Sequence, residues 1–206
     1  MNKPLLLTLL LIALEVLFIA ALLPGKWSET AMQKEAQMIE SISGREHRDQ
    51  VLSNATSWYT KSLVDTGVWQ AMFNMLIPED KLREKSVIKA DGWFNVVDDR
   101  LTAVQQSVYL IFVRVSLLFT WLPYVPLLLL PALWDGLMTW NIKKTNFDYS
   151  SPILHRYAIR GAAAIAVVTM VMFMMPLPVA PIYIPIALMF TVVAVGIAAG
   201  NLQKRI

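Results

Sequence analysis

Two ionisable side chains stand where hydrocarbon is expected. Glu15 interrupts the apolar run 5–23, and Arg114 interrupts a second apolar run, 108–133. A charge inside a membrane span is costly, so it marks a functional position and needs a named partner. Counted from the ends of their runs, Glu15 lies roughly 12 Å and Arg114 roughly 9 Å below the same face. An intramembrane Glu15–Arg114 pair is therefore the sharpest chemical expectation. The alternative is that Arg114 snorkels outward while Glu15 is protonated or faces another chain.

Other reactive residue types are less suggestive. Met170, Met172, Met174 and Met175 supply soft thioethers, but residues two apart do not share a helix face, so they suit packing better than copper. His47 lies in the charged run Arg45-Glu46-His47-Arg48-Asp49, which suits a solvated helix. Asn54-Ala55-Thr56 matches a glycosylation sequon, a weak pattern on its own. There is no Walker loop, GxSxG, HExxH or paired-histidine motif, and no cysteine. No catalytic residue, metal site or cofactor is nominated.

Packing chemistry is easier to find. Gly196-Ile-Ala-Ala-Gly200 is a GxxxG near the end of the last apolar run, and Gly161-Ala-Ala-Ala opens the preceding one. Small residues let helix backbones approach closely in a bilayer. The expected arrangement is a tight hairpin between these two runs, with homodimerisation through the same face as the alternative.

The elements that must position these residues follow from composition. The chain is 56% hydrophobic but only 16% charged, against about a quarter charged in soluble domains. Its charges crowd into residues 24–103. The expected fold is an all-α integral membrane protein with about four transmembrane helices and a small helical extracytoplasmic segment between the first and second. Residues 1–27 form an uncleaved signal-anchor span, because the run is longer than the ~7–15 apolar residues of a signal peptide. Residues 28–103 form the outer segment, where Val51, Ala55, Trp58, Tyr59 and Ser62 make one helical stripe and Trp69, Met72, Phe73 and Leu76 another.

Residues 104–206 are membrane-embedded, with spans near 108–133, 161–175 and 184–200 and a polar loop at 134–160. The run 108–133 is too long for one perpendicular span, and Pro123, Pro126 and Pro131 suggest a helix to about Trp121 followed by a kink or break. An uncharged, proline-rich turn, 176–185, joins the last two spans. Lys3, the 134–160 loop and Lys204-Arg205 then place both termini on the cytoplasmic side. The net charge of +3 is too small to argue for nucleic acid.

The loop also carries a resemblance. Trp134-Asp135-Gly136-Leu137, Asn146-Phe147-Asp148-Tyr149-Ser150-Ser151-Pro152, His155-Arg156-Tyr157-Ala158 and the tail Ala199-Gly200-Asn201-Leu202-Gln203-Lys204 resemble a family of small bacterial inner-membrane proteins. That family is encoded by integrating conjugative elements and conjugative plasmids and includes TraJ-like partners of the conjugative coupling protein. The resemblance implies a non-enzymatic accessory subunit of a type IV secretion apparatus for DNA transfer. Its implied partners are the coupling ATPase, other transfer-apparatus membrane subunits and the bilayer. Lys143, Lys144, Phe147, Tyr149, His155, Arg156, Tyr157 and Arg160 are the candidate partner or lipid contacts. The alternative function is a small membrane transporter or channel subunit, drawing on Glu15, Arg114 and the proline-broken run.

Overall fold

The computed structural model describes residues 25–76, 91–146 and 149–202. Among these residues every regular element is helical. They are α1 (Gly25–Ser43), α2 (Arg45–Tyr59), a π-turn at Thr60–Val64, α3 (Val68–Leu76), α4 (Asp91–Trp121), a 3-10 turn at Leu122–Tyr124, α5 (Val125–Thr145), α6 (Pro152–Met174) and α7 (Tyr183–Gly200). The chain divides into two compact units. The first holds the described residues up to Ser116 together with Phe173–Ala180; the second holds Leu117–Met172 and the chain from Pro181 onward.

In the first unit, α1 and α2 are separated by Gly44, whose φ of 85° lies in the left-handed region that L side chains avoid. Around that break Glu40 accepts hydrogen bonds from Arg45 (2.7 Å) and Arg48. The Arg45 bond, with the nearby Arg48 charge, holds the Glu40 carboxyl below the ordinary carboxylate range. Of the expected stripe, Val51, Ala55 and Tyr59 are buried, whereas Trp58 is half-buried and Ser62 is exposed. Tyr59 is the hub of an aromatic cluster. Its ring meets Tyr109 and Phe112 edge-on, with centroids 5.5 and 5.8 Å away, and Trp69 of α3 at 6.4 Å. Such edge-on pairs stabilise beyond their buried area.

From α4 the buried side chains include Leu101, Ser107, Leu110, Val113 and Arg114. Val96–Thr145 is a run of 50 helical residues apolar enough to cross a membrane. At ~1.5 Å per residue it would reach about 75 Å, more than twice a bilayer core of ~30 Å. Residues up to Ser116 belong to the first unit. After Val96, large exposed apolar side chains resume at Phe119 and continue through Leu122, Leu127, Leu128, Leu130 and Trp134. Before Leu117, buried apolar residues of α4 such as Leu101, Leu110 and Val113 contribute to the core of the first unit.

Helix α4 ends at Trp121, where the prolines suggest a break, and Leu122–Tyr124 tightens into a 3-10 turn. Pro126 then sits in the first turn of α5, where a missing N–H costs nothing. Most of the expected 134–160 loop is helix, because α5 continues to Thr145 and α6 starts at Pro152. Helix α6 thus extends the short apolar run beginning at Gly161 on its N-terminal side, through Pro152–Arg160. With three candidate spans among the described residues, the protein is an all-α membrane protein. The expected signal-anchor span falls outside the described residues.

Candidate functional site: a buried arginine clamp

Arg114 is 1% exposed and is the largest fully buried side chain of the described residues. Its position follows from α4, whose buried face carries Ser107, Leu110, Arg114 and Leu117 at spacings of three and four. Opposite it stands Glu35, 2% exposed, on the α1 face that also buries Ser28, Ala31 and Ile39. The guanidinium meets the carboxylate through two nitrogens. Nε donates to Oε1 at 3.0 Å, and one terminal nitrogen donates to Oε2 at 2.8 Å. This is the bidentate geometry that makes arginine–carboxylate pairs strong.

The remaining N–H groups go elsewhere. One terminal nitrogen donates to the carbonyls of Phe173 (2.8 Å) and Met175 (2.7 Å), and the other also reaches the carbonyl of Leu177 (2.5 Å). All five guanidinium donors therefore have acceptors. The turn needs them. Pro176, Pro178 and Pro181 carry no N–H, so the chain after α6 cannot satisfy its own carbonyls in a helical ladder. Two further bonds hold the same turn: Trp27 Nε1 donates to the Pro176 carbonyl at 3.2 Å, and the Val179 N–H donates to Glu35 Oε2 at 3.3 Å. The first unit thus clamps the proline-rich turn by side chains from α1 and α4.

Glu15 lies outside the described residues, and so does the expected Glu15–Arg114 pairing. The partner that the sequence reading misses is Glu35. Its signal is present but faint: an acidic residue four after Ala31 and four before Ile39, on what is otherwise a small-and-apolar stripe.

The second unit has its own organising contact. Gly196 and Gly200 of α7 pack against α5, not against the start of α6. A Cβ added at Gly136 would lie 2.5 Å from the Gly196 carbonyl oxygen and 2.9 Å from Ala199 Cβ. One added at Gly196 would lie 3.0 Å from the Ala132 oxygen. The GxxxG of α7 is thus matched by Ala132-x-x-x-Gly136 on α5, a small-residue pair of ridges in close approach. The hairpin partner expected at Gly161 is corrected accordingly, since a Cβ there would meet nothing within 4 Å.

Two of the candidate contact residues turn inward at the end of α7. Lys143 Nζ donates to the Gly200 carbonyl (3.2 Å) and to Asn201 Oδ1 (3.0 Å), while His155 Nδ1 lies 2.7 Å from the Ala198 carbonyl. Asn201 Nδ2 takes the Ile197 carbonyl, and the Leu202 N–H that of Ala199. Every carbonyl of the last turn is satisfied, and Lys143 also complements the negative end of the helix dipole. Lys144 lies 5.4 Å from the centroid of the Trp140 ring. Tyr149, Arg156, Tyr157 and Arg160 remain exposed, and Phe147 lies outside the described residues.

A helical membrane protein with a clamped turn and a glycine-packed pair of helices defines a structural class, not a reaction. Comparison supplies the family. The model of the DtrJ-like family, described as IncC plasmid conjugative DNA transfer protein DtrJ-like, matches residues 19–203. The chain belongs to that family and is a conjugative DNA transfer protein. No curated protein and no solved structure matches it.

Proposed function

We propose that the protein is a non-enzymatic accessory subunit of a conjugative type IV secretion apparatus, which binds and stabilises the coupling ATPase in the inner membrane. The observation that carries this reading is the family match over residues 19–203, joined to a fold whose charged and polar centres serve assembly. Arg114, which a transporter reading would place along a substrate path, gives its five donors to Glu35 and three backbone carbonyls. Lys143 and His155 close a helix end.

The proposed topology has four spans with both termini cytoplasmic and residues 28–103 outside. It is supported by Trp27, Glu35 and Arg114 holding the uncharged 173–179 turn, because both segments then share the outer side. The connection between α5 and α6, with Lys143, Lys144, Arg156 and Arg160 close by, fits the cytoplasmic side.

Deletion of the gene from a donor, with complementation in trans, tests the reading. The expected result is a loss of transfer together with a fall in the membrane level of the coupling ATPase. Unchanged transfer with an unchanged ATPase level would overturn it.

A further inference from the structure

Helix α6 is 23 residues long and buries one side chain, Phe173 at its far end. Along one face, at spacings of three and four, run Ile153, Arg156, Arg160, Ala163, Val167 and Met170, all exposed. Two guanidinium groups one turn apart therefore sit at the loop end of an apolar stripe that no other described element covers. Among the described residues, neither Arg156 nor Arg160 has a hydrogen-bond or ion-pair partner, whereas Lys143, Lys144 and His155 nearby are engaged within the protein. Trp134 and Tyr157, about two-thirds exposed, belong to the same unit and have the amphipathic rings that settle at headgroup level.

We propose that this face of α6 is a binding site for an anionic phospholipid. Arg156 and Arg160 hold the phosphate, and the acyl chains lie along Ala163, Val167 and Met170. The charge pattern argues for this occupant. A lipid offers a phosphate at the depth of the two arginines and hydrocarbon above them, with the small Ala163 leaving room for a chain beside the helix. A guanidinium fork suits phosphate oxygens better than a point charge does. This inference is independent of the ATPase contact proposed above.

The test uses the full-length protein purified into nanodiscs of phosphatidylcholine with a minor fraction of phosphatidylglycerol or cardiolipin. Lipid retained after transfer to detergent is counted by native mass spectrometry. Wild type should retain anionic lipid in excess over the disc composition, and Arg156→Gln with Arg160→Gln should bring retention down to that composition. Each single substitution should weaken retention about fivefold, as one juxtamembrane cation does. Lys144→Gln should weaken it less than either arginine substitution does. Equal loss in Lys144→Gln would mean diffuse attraction and would overturn the site. Unaltered anionic enrichment in the double variant, accompanied by loss of a co-purifying protein, would assign the face to a protein partner and also overturn it. Should the double variant fail to fold in phosphatidylcholine alone, a salt titration of wild type decides the matter. Enrichment must fall steeply toward 1 M salt, and enrichment indifferent to salt contradicts the proposal.

Discussion

Arg114 and Glu35 are 79 residues apart in the sequence and meet at 2.8 Å in the fold, both almost fully buried. The pair ties α4 to α1, and through three carbonyls it ties both to the turn after α6. A buried ion pair is weak evidence of net stabilisation, since desolvation offsets much of the attraction. Its importance lies in what removal of one partner leaves behind.

Arg114→Leu should therefore destabilise the protein by about 3–5 kcal/mol, because it strands a buried carboxylate. Glu35→Leu added to it should not restore stability, since the carbonyls of Phe173, Met175 and Leu177 stay without donors. Arg114→Lys should recover only part of the loss, having three donors and no planar fork. Thermal unfolding in detergent ranks the variants. A double variant as stable as wild type would show that the clamp on the turn contributes nothing.

The glycines predict effects of opposite sign. Gly136→Ala puts a methyl group 2.5 Å from the Gly196 oxygen, and forcing α5 and α7 apart should cost about 1–3 kcal/mol. Gly161→Ala meets open space and should gain up to ~1 kcal/mol from helix propensity. The same unfolding assay reads both changes. A neutral Gly136→Ala would mean that the two helices do not pack through Gly136.

Burial raises the Tyr59 phenol above its ordinary value of 10.0. In that situation the folded state holds its proton more tightly than the unfolded state does. The contribution is fully present below pH 10 and is lost as pH rises from there toward the raised value. Stability of the wild type should thus fall more steeply above pH 10 than that of Tyr59→Phe, which keeps the ring and lacks the proton. Parallel pH profiles for the two proteins would contradict the placement of Tyr59 in the core.

Removing the two side chains that cap α7 should loosen its end. Lys143→Ala and His155→Ala each delete a donor to the last turn, at about 0.5–1.5 kcal/mol apiece. Hydrogen exchange of the amides near Ala199–Leu202 should quicken in both variants. Exchange that is unchanged at these amides and faster elsewhere would place the two side chains in some other role.

Periodicity made some of this visible in advance. The spacing Val51, Ala55, Tyr59 suits a helix face and Pro123 suits a helix break, so the buried part of the α2 stripe and the end of α4 at Trp121 are both legible, whereas Pro131 is accommodated inside α5. Other features depend on partners that local pattern does not name. Glu35 looks like one more charge in a polar segment until α4 brings Arg114 to it. Gly136 sits among Trp134, Asp135 and later lysines, which read as a polar loop, yet helix α5 carries it against Gly196. Lys143 and His155 look like surface cations because nothing in their neighbourhood shows that the carbonyls of α7 end beside them. The apolar residues just before Leu117 resemble lipid-facing ones in composition, and only the core of the first unit distinguishes them.

Binding of the coupling ATPase can be read by co-purification. The tagged full-length protein, extracted in mild detergent from cells carrying the complete transfer apparatus, should bring down the coupling ATPase in a fixed ratio. Arg114→Leu, which unseats the 173–179 turn, should reduce that recovery even where the variant protein remains in the membrane. A wild-type pull-down containing other transfer subunits but no coupling ATPase, under conditions that keep the ATPase soluble and assembled, would exclude the ATPase as its partner.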